Sequence, residues 1–342
     1  MTRGALVATA ALALLLGSSA DGLRVSLQST ADAYLAGIGD VATVAGRDTT
    51  YDYYERLRDD EAAFDSDVPQ GYTAEQWGAT LRNLSTLDIS LARQLLARTY
   101  TPMRSVRGLG EVLVRSSRDA TMQPVAVYVP ADYDPRVAAP LMVFLHGRPQ
   151  SETELLAPPY IGQLAEATGT IVVAPWGRGY YDFRGAVSDV YDALDAATRA
   201  FNIDPRKRYL AGYSMGGFSV FEVGPERPEA WSAVMCVAGA LLGSDSARVV
   251  SAMRRTPFYV LTGSADQSIP TAYPSATAAF LASNGVNVSF YSQPGGIHRL
   301  VTILSILTQA WNDMLHEIVR TPPPTLGSFS LPAAIPAMTY KP

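Results

Sequence analysis

The 342-residue chain has one cysteine, three histidines and only two lysines, Lys207 and Lys341, and each scarcity excludes something. With Cys236 alone, no intramolecular disulfide can form, so the fold must rest on its apolar core. Three histidines without clustered Cys/His spacing argue against a structural zinc site, and the chemistry read below needs neither a metal nor an organic cofactor. Arginine supplies nearly all the positive charge, as expected of a GC-rich coding sequence. Lys+Arg is 27 against Asp+Glu 32, a net charge of -5 without a basic block, which argues against nucleic acid or an anionic membrane as a partner. A small-molecule or polymeric substrate is compatible with that balance. Long hydrophobic runs are also lacking. The apolar stretch from Ala5 to Leu16 covers about twelve residues, where spanning a bilayer takes roughly twenty. Arg3 precedes it and Gly17-Ser18-Ser19-Ala20 follows, with small residues at the -3 and -1 positions of a cut after Ala20. Residues 1–20 therefore read as a secretory signal peptide, an uncleaved anchor being the alternative, and no cysteine near the cut is available for a lipid anchor. An extracytoplasmic location without stable membrane insertion after cleavage is expected.

The 342-residue chain is 48% hydrophobic and 17% charged, enough to bury a large core. From Ser29 to about Arg98 the apolar residues recur at helical spacing: Ala31, Tyr34, Leu35, Ile38, Val41, then Leu91, Leu95 and Leu96. Thr73 with Gln76 forms a capping-box signature ahead of Trp77, Leu81 and Leu84. Residues 21–106 are thus expected to be a helical accessory segment, either a layer packed on the main domain or a cap over an active site. After Arg107 the period changes. Glu111 to Arg115 and Val125 to Val129 read as paired strands around the Arg118-Asp119-Ala120 turn. Leu141 to Leu145, Ile171 to Ala174, Tyr209 to Ala211, Trp231 to Ala238, Phe258 to Thr262 and Val286 to Tyr291 follow, mostly separated by helical stretches such as Asp189 to Phe201, Ala272 to Ala282 and Leu300 to Val319. A hairpin followed by strands joined through crossover helices predicts an α/β domain over residues 107–320, with a mostly parallel eight-stranded sheet and flanking helices. Residues 321–342 are proline-rich and aperiodic, a tail expected to lie extended on the surface or to be disordered. Cys236, inside the apolar run from Ala233 to Ala238, reads as a core residue and not a nucleophile.

The chemistry gathers at the ends of predicted strands. Tyr209 to Ala211 runs into Gly212-Tyr213-Ser214-Met215-Gly216-Gly217, a G-x-S-x-G pattern in which a tight strand-to-helix turn lifts the serine hydroxyl into the open. A serine nucleophile needs a base. His298 follows the last strand through Gln293-Pro294-Gly295-Gly296-Ile297, at the carboxyl edge of the sheet where a base can reach Ser214. His316 falls in the final helix, and His146 reads as a structural histidine. Asp266 ends the segment after the next-to-last strand and can orient the imidazole; its other reading is a cap for the next helix, and Asp245 and Asp182 are weaker rivals. The tetrahedral intermediate needs two N–H donors, for which the backbones of Met215 and of Arg148, after Leu145-His146-Gly147, are placed. Trp176, Tyr180, Tyr181 and Phe183, together with Tyr213, would form an apolar pocket wall, or equally packing for the accessory helices. Arg148 and Arg178 could meet a substrate carboxylate, while Arg178 reads more readily as a fold-stabilising side chain. Only about Leu241 to Thr256 separates the sixth and seventh strands, too little for a large inserted lid.

Together, Leu145-His146-Gly147, the Gly212 to Gly217 run and the Asp266 and His298 loops resemble the α/β-hydrolase superfamily. Val127-Tyr128-Val129-Pro130, the turn from Pro175 to Gly179 and Asn202-Ile203-Asp204-Pro205 resemble its secreted esterases, in the group of prolyl-oligopeptidase-like enzymes, feruloyl esterases and polyhydroxybutyrate depolymerases. The resemblance covers Arg107 to Arg320 and implies a secreted serine hydrolase cleaving carboxylic esters through an acyl-enzyme, without a cofactor. A peptidase, an acyltransferase and a catalytically silent binding protein of the envelope are the alternatives. Several such esterases use disulfides, which this chain cannot form.

Overall fold

The structure is a computed structural model that describes residues 20–178, 183–318 and 330–336. The expected signal segment up to residue 19, Tyr180, Tyr181, Asp182 and most of the proline-rich tail lie outside the described residues.

Four helices come first: α1 (Ala20–Ala36), α2 (Ile38–Ala45), α3 (Arg47–Ala63) and α4 (Ala74–Ala97). Helix α1 starts well before Ser29 because Leu23 and Leu27 continue the stripe of Ala31 and Tyr34 backward at helical spacing, and all four are buried. Thr73 and Gln76 form the expected reciprocal cap at the start of α4. Leu27, Tyr34, Tyr53, Leu57, Ile89, Leu91 and Leu95 pack into one apolar cluster that reaches Leu113 and Met122 of the first hairpin. Each such side chain contributes about 1.5–3 kcal/mol on burial. The segment is therefore a layer welded to the edge of the sheet. Helix α3 is unusual in that its buried stripe, Thr49, Thr50, Tyr53, Arg56, Leu57 and Asp60, includes two ionisable side chains of opposite sign.

The eight strands are β1 (Gly108–Arg115), β2 (Met122–Val129), β3 (Ala139–Leu145), β4 (Ile171–Pro175), β5 (Ile203–Tyr213), β6 (Ala233–Val237), β7 (Phe258–Gly263) and β8 (Val288–Gln293). They form one sheet in the order β1-β2-β4-β3-β5-β6-β7-β8, in which β2 runs antiparallel to β1 and β4 and the other pairings are parallel. The intervening helices are α5 (Glu152–Leu156), α6 (Pro159–Thr168), α7 (Val187–Ala200), α8 (Met215–Val223), α9 (Ser246–Met253), α10 (Ala272–Ser283) and α11 (Leu304–Leu315). Two large apolar clusters fill the two faces of the sheet; along β5, Tyr209, Ala211 and Tyr213 enter one and Leu210 the other, as the two-residue period of a strand requires.

Several boundaries differ from expectation, β1, β2 and β5 beginning earlier at Gly108, Met122 and Ile203. Trp231 precedes β6, where its indole N–H donates to Tyr191, and β8 is shifted two residues toward the C-terminus. The final helix opens as a 3-10 turn, Leu300–Ile303, because the Thr302 hydroxyl bonds back to the carbonyls of Ile297 and Arg299. In the described part of the tail, Pro332 is buried against the domain, its carbonyl accepting the Gly243 N–H at 3.0 Å, while Ala333 and Ala334 are exposed. Among the described residues no helix is long and apolar enough to cross a membrane.

Candidate active site

The chain leaves β3 toward β4 on one side and returns through β5 on the other, so a crevice opens beyond the carboxyl ends of these strands. Every sequence-predicted catalytic position within the described residues lies along that edge.

The turn from β5 into α8 is closed by glycine. A Cβ on Gly212 would sit 2.1 Å from the carbonyl oxygen of Gly216, and one on Gly216 would sit 2.3 Å from that of Leu145. Ser214 between them adopts φ 54° and ψ -113°, a strained conformation for a residue with a side chain. Hydrogen bonds hold it there: its N–H donates to Val237 O at 2.8 Å, and the Gly216 N–H donates to His146 O at 3.0 Å. One expectation is corrected. The turn does not lift the hydroxyl into the open, since Ser214 has no exposed surface. Its Oγ is turned onto the imidazole of His298, and its Cβ lies against the turn at Gly147, where an added Cβ would come within 3.2 Å of it.

Ser214 Oγ and His298 Nε2 are 2.8 Å apart, and His298 Nδ1 lies 2.7 Å from Asp266 Oδ2. The other carboxylate oxygen of Asp266 accepts the backbone N–H groups of Ser268 at 2.9 Å and Ile269 at 2.8 Å, so Asp266 also shapes the loop after β7. The Asp266 and His298 loops are stitched together. Ser264 N–H donates to Gln293 O and Ala265 N–H to Gly296 O, both at 2.9 Å, and a Cβ on Gly263 would sit 2.3 Å from Gly296 O. Tyr213 stacks on the His298 ring at 5.3 Å between centroids, and its hydroxyl donates to the His298 carbonyl at 2.9 Å. The side chain of Asp266 is buried and that of His298 is 15% exposed.

Met215 is the first residue of α8, where backbone N–H groups have no acceptor within the helix. Arg148 follows Gly147 on the neighbouring loop and is exposed. His146 is fully buried, with its ring nitrogens 2.9 Å from the carbonyl oxygens of Gly147 and Trp176 and its ring stacked on Trp176. Burial lowers its pKa below the ordinary value, as suits a structural histidine. His316 caps the end of α11 at the surface, its Nδ1 2.8 Å from the Asn312 carbonyl oxygen.

The expected aromatic wall is in part not a wall. Trp176 and Phe183 are fully buried, pressed against His146 on the inner side of its loop, so neither faces a substrate. Arg178 is a fold-stabilising side chain: it pairs with Asp119 and Asp189 and donates to Ser116 Oγ. Asp245 lies in a short turn ahead of α9 and receives the Ser244 hydroxyl. Cys236 is buried, its thiol donating to Gly217 O, and burial pushes its pKa up to about 12. Among the described residues no group of acidic, histidine or cysteine side chains could hold a metal ion.

Sequence reasoning missed the support behind this edge. Arg56 of α3 donates to Glu152 Oε1 at 2.9 Å, to Thr153 Oγ1 at 2.6 Å and to Asp88 Oδ1 at 2.7 Å. The only sequence signal was local: Ser151 and Glu154 make a second capping box, directly downstream of the His146 loop.

No protein-family model matches the chain. A bifunctional acetylxylan esterase/xylanase of Neocallimastix patriciarum is 30% identical over 102 residues, covering 28% of this chain and 15% of that protein, so the likeness spans a small part of the relative's length. Among solved structures, a thermostable esterase aligns with a TM-score of 0.52 at 19% identity, over 62% of this chain and 63% of that one, which is under two thirds of its length. A hyperthermophilic esterase from the archaeon Pyrobaculum calidifontis aligns with a TM-score of 0.50 at 18% identity, over 62% of this chain and 86% of that one. With the strand order above, these likenesses establish the α/β-hydrolase fold.

Proposed function

We propose that the chain is a serine hydrolase of carboxylic esters, exported from the cytoplasm, with Ser214 as nucleophile, His298 as base and Asp266 as the group that orients it. The observation that carries the reading is the relay from Ser214 Oγ to His298 Nε2 at 2.8 Å and from His298 Nδ1 to Asp266 Oδ2 at 2.7 Å. Asp266, accepting from Nδ1–H, leaves Nε2 unprotonated and facing the hydroxyl. As Ser214 Oγ bonds to the ester carbonyl carbon, its proton passes to Nε2, and the resulting imidazolium is stabilised by the carboxylate. The carbonyl π pair moves onto oxygen, where the N–H groups of Met215 and Arg148 receive it. Collapse expels the alkoxide, which takes the proton from Nε2. Water then repeats the sequence on the acyl-enzyme, releasing the acid and restoring Ser214.

The partial likeness to an acetylxylan esterase supports a small acyl group on a polysaccharide as the first substrate to try. Export is supported by the sequence alone: Arg3, the apolar run from Ala5 to Leu16 and the small residues Ser18 and Ala20 before the cut. Ser214→Ala is expected to abolish hydrolysis of p-nitrophenyl acetate and butyrate and labelling by a fluorophosphonate; retained turnover refutes the nucleophile assignment. A panel of acetylated xylan, feruloyl esters and aliphatic polyester, with a competing alcohol and peptide amides, separates hydrolysis from acyl transfer and from peptidase activity.

A further inference from the structure

The helical layer and the candidate active site meet at one buried side chain. Arg56 of α3 is 4% exposed and lies beneath the loop that joins β3 to α5, which begins at His146 and carries the proposed donor Arg148. It touches the far end of that loop directly and reaches the near end through Trp176. At the far end its guanidinium grips Glu152 and Thr153 at the start of α5, and Thr153 Oγ1 in turn lies 2.9 Å from Ser151 Oγ, the capping hydroxyl. Tyr53, one turn earlier on α3, donates its hydroxyl to the same Glu152 oxygen at 2.7 Å. At the near end the guanidinium faces the Trp176 ring at 5.1 Å, and the Trp176 carbonyl oxygen lies 2.9 Å from Nε2 of His146. Asp88 of α4 fixes the guanidinium from behind at 2.7 Å. The start of the loop abuts the nucleophile, since an added Cβ on Gly147 would come within 2.8 Å of Tyr213 and 3.2 Å of Ser214 Cβ.

Packing alone does not explain this arrangement. A charged side chain at a buried helical position contributes little net stability against an apolar one of similar volume, but its planar fork fixes the positions of several partners at once. We propose that Arg56 is a positioning residue for the oxyanion-binding loop, so that the N-terminal helical layer sets the geometry of residues 147–151 and with it the rate of acyl transfer. This rests on the reading of Ser214, Met215 and Arg148 given above.

The test uses the full chain and a readout that mere stability does not move: the ratio of kcat/KM for an oxygen ester to that for its thionoester. The larger sulfur is a poor acceptor for the two N–H groups, so a formed oxyanion site gives a large ratio and a displaced one a small ratio. Arg56→Met is expected to lower kcat/KM on the oxygen ester through kcat by about 10- to 100-fold, as a displacement of about 1 Å does, and to shrink the ratio in step. Glu152→Gln and Thr153→Val, which cut single bonds of the same grip, should move both quantities in the same direction by less and keep the question open to measurement if Arg56→Met does not fold. Arg24→Ala, which removes the exposed pair with Asp65 elsewhere on the layer, should leave both unchanged. Folded Arg56 and Glu152 variants with wild-type kcat/KM and ratio, or a ratio equally shifted in Arg24→Ala, overturn the proposal. Fluorophosphonate labelling of wild-type Ser214 is measured beside these. Its absence overturns the parent reading, whereas labelling with an unmoved ratio overturns only the role of Arg56.

Discussion

Replacing Asp266 by Asn tests the proton relay at one atom. In the native site Oδ1 of Asp266 accepts two backbone N–H groups, from Ser268 and Ile269, while Oδ2 faces His298 Nδ1. The two amide orientations of an Asn there are not equivalent. Placing Nδ2 at the Oδ1 position sets a donor against two donors at 2.8–2.9 Å, so the amide oxygen must take that place and Nδ2 must face the histidine. His298 Nδ1 then becomes an acceptor, the ring proton moves to Nε2, and Nε2 donates to Ser214 Oγ where it should accept from it. The loop keeps both of its backbone bonds, so Asp266→Asn is expected to fold with a melting temperature close to that of the native chain. Its kcat on p-nitrophenyl butyrate should fall by about 10,000-fold, the cost of holding the base in the wrong tautomer. At about 1.36 kcal/mol per tenfold this is roughly 5.4 kcal/mol of transition-state stabilisation. A folded Asp266→Asn variant within tenfold of native activity refutes the relay, and with it the assignment of His298 as base.

Three further perturbations address the scaffold. Glu111 of β1 is buried without a cationic partner bonded to its carboxylate, and burial, with Glu152 nearby, raises its pKa well above the ordinary value. A group raised in the native state costs stability as pH climbs above its unfolded pKa of about 4.3, up to about 1.4 kcal/mol per pH unit, so Glu111→Gln should raise the melting temperature more at pH 8 than at pH 5; a gain independent of pH refutes this. Arg178→Ala leaves Asp189, 4% exposed, without its partner and should destabilise by about 3 kcal/mol. Arg178 holds the pKa of Asp119 below the ordinary value, a contribution present above the unfolded pKa of about 3.9 and lost as pH falls below it, so the penalty read by denaturant unfolding should shrink in acid. Cys236, with its thiol pushed up to about 12 and no exposed surface, should resist a disulfide reagent in the native state and react on unfolding; rapid modification of the folded chain refutes the burial.

The legible parts of the molecule were those written in local physics. The β5 to α8 turn shows in sequence because the backbones of Gly212 and Gly216 approach too closely for any Cβ, and helix α4 shows because Thr73 and Gln76 satisfy each other across four residues. His298 and Asp266 follow strands whose order is set by the right-handed crossovers of a parallel sheet, so their common edge follows from topology. Trp176 stayed open between pocket wall and packing for the accessory helices because large aromatics close to a site serve equally as either; its contacts with Tyr53 and Arg56 of α3 decide for packing. The Arg56 cluster was invisible because its members, Asp88, Glu152 and Thr153, are joined across separate elements by a helix stripe that contains a charge, which reads in sequence as a solvated face.

The way each loop of the site is held accounts for where that charge was needed. The serine turn is pinned by glycine contacts to β3, and the Asp266 and His298 loops are pinned to each other at Gly263 and Gly296, so their geometry is carried by main chain within the α/β domain. The loop from Gly147 to Ser151 is gripped at its ends by side chains instead, His146 on one side and the Ser151 cap with Glu152 and Thr153 on the other. Those grips converge on Arg56, a residue of the helical layer. A chain that cannot form a disulfide thus anchors its least self-supporting catalytic loop through a buried ion pair to an added layer. The helical segment, expected to be either a layer packed on the main domain or a cap, is packed as a layer, and on the proposal above it supports the site from below.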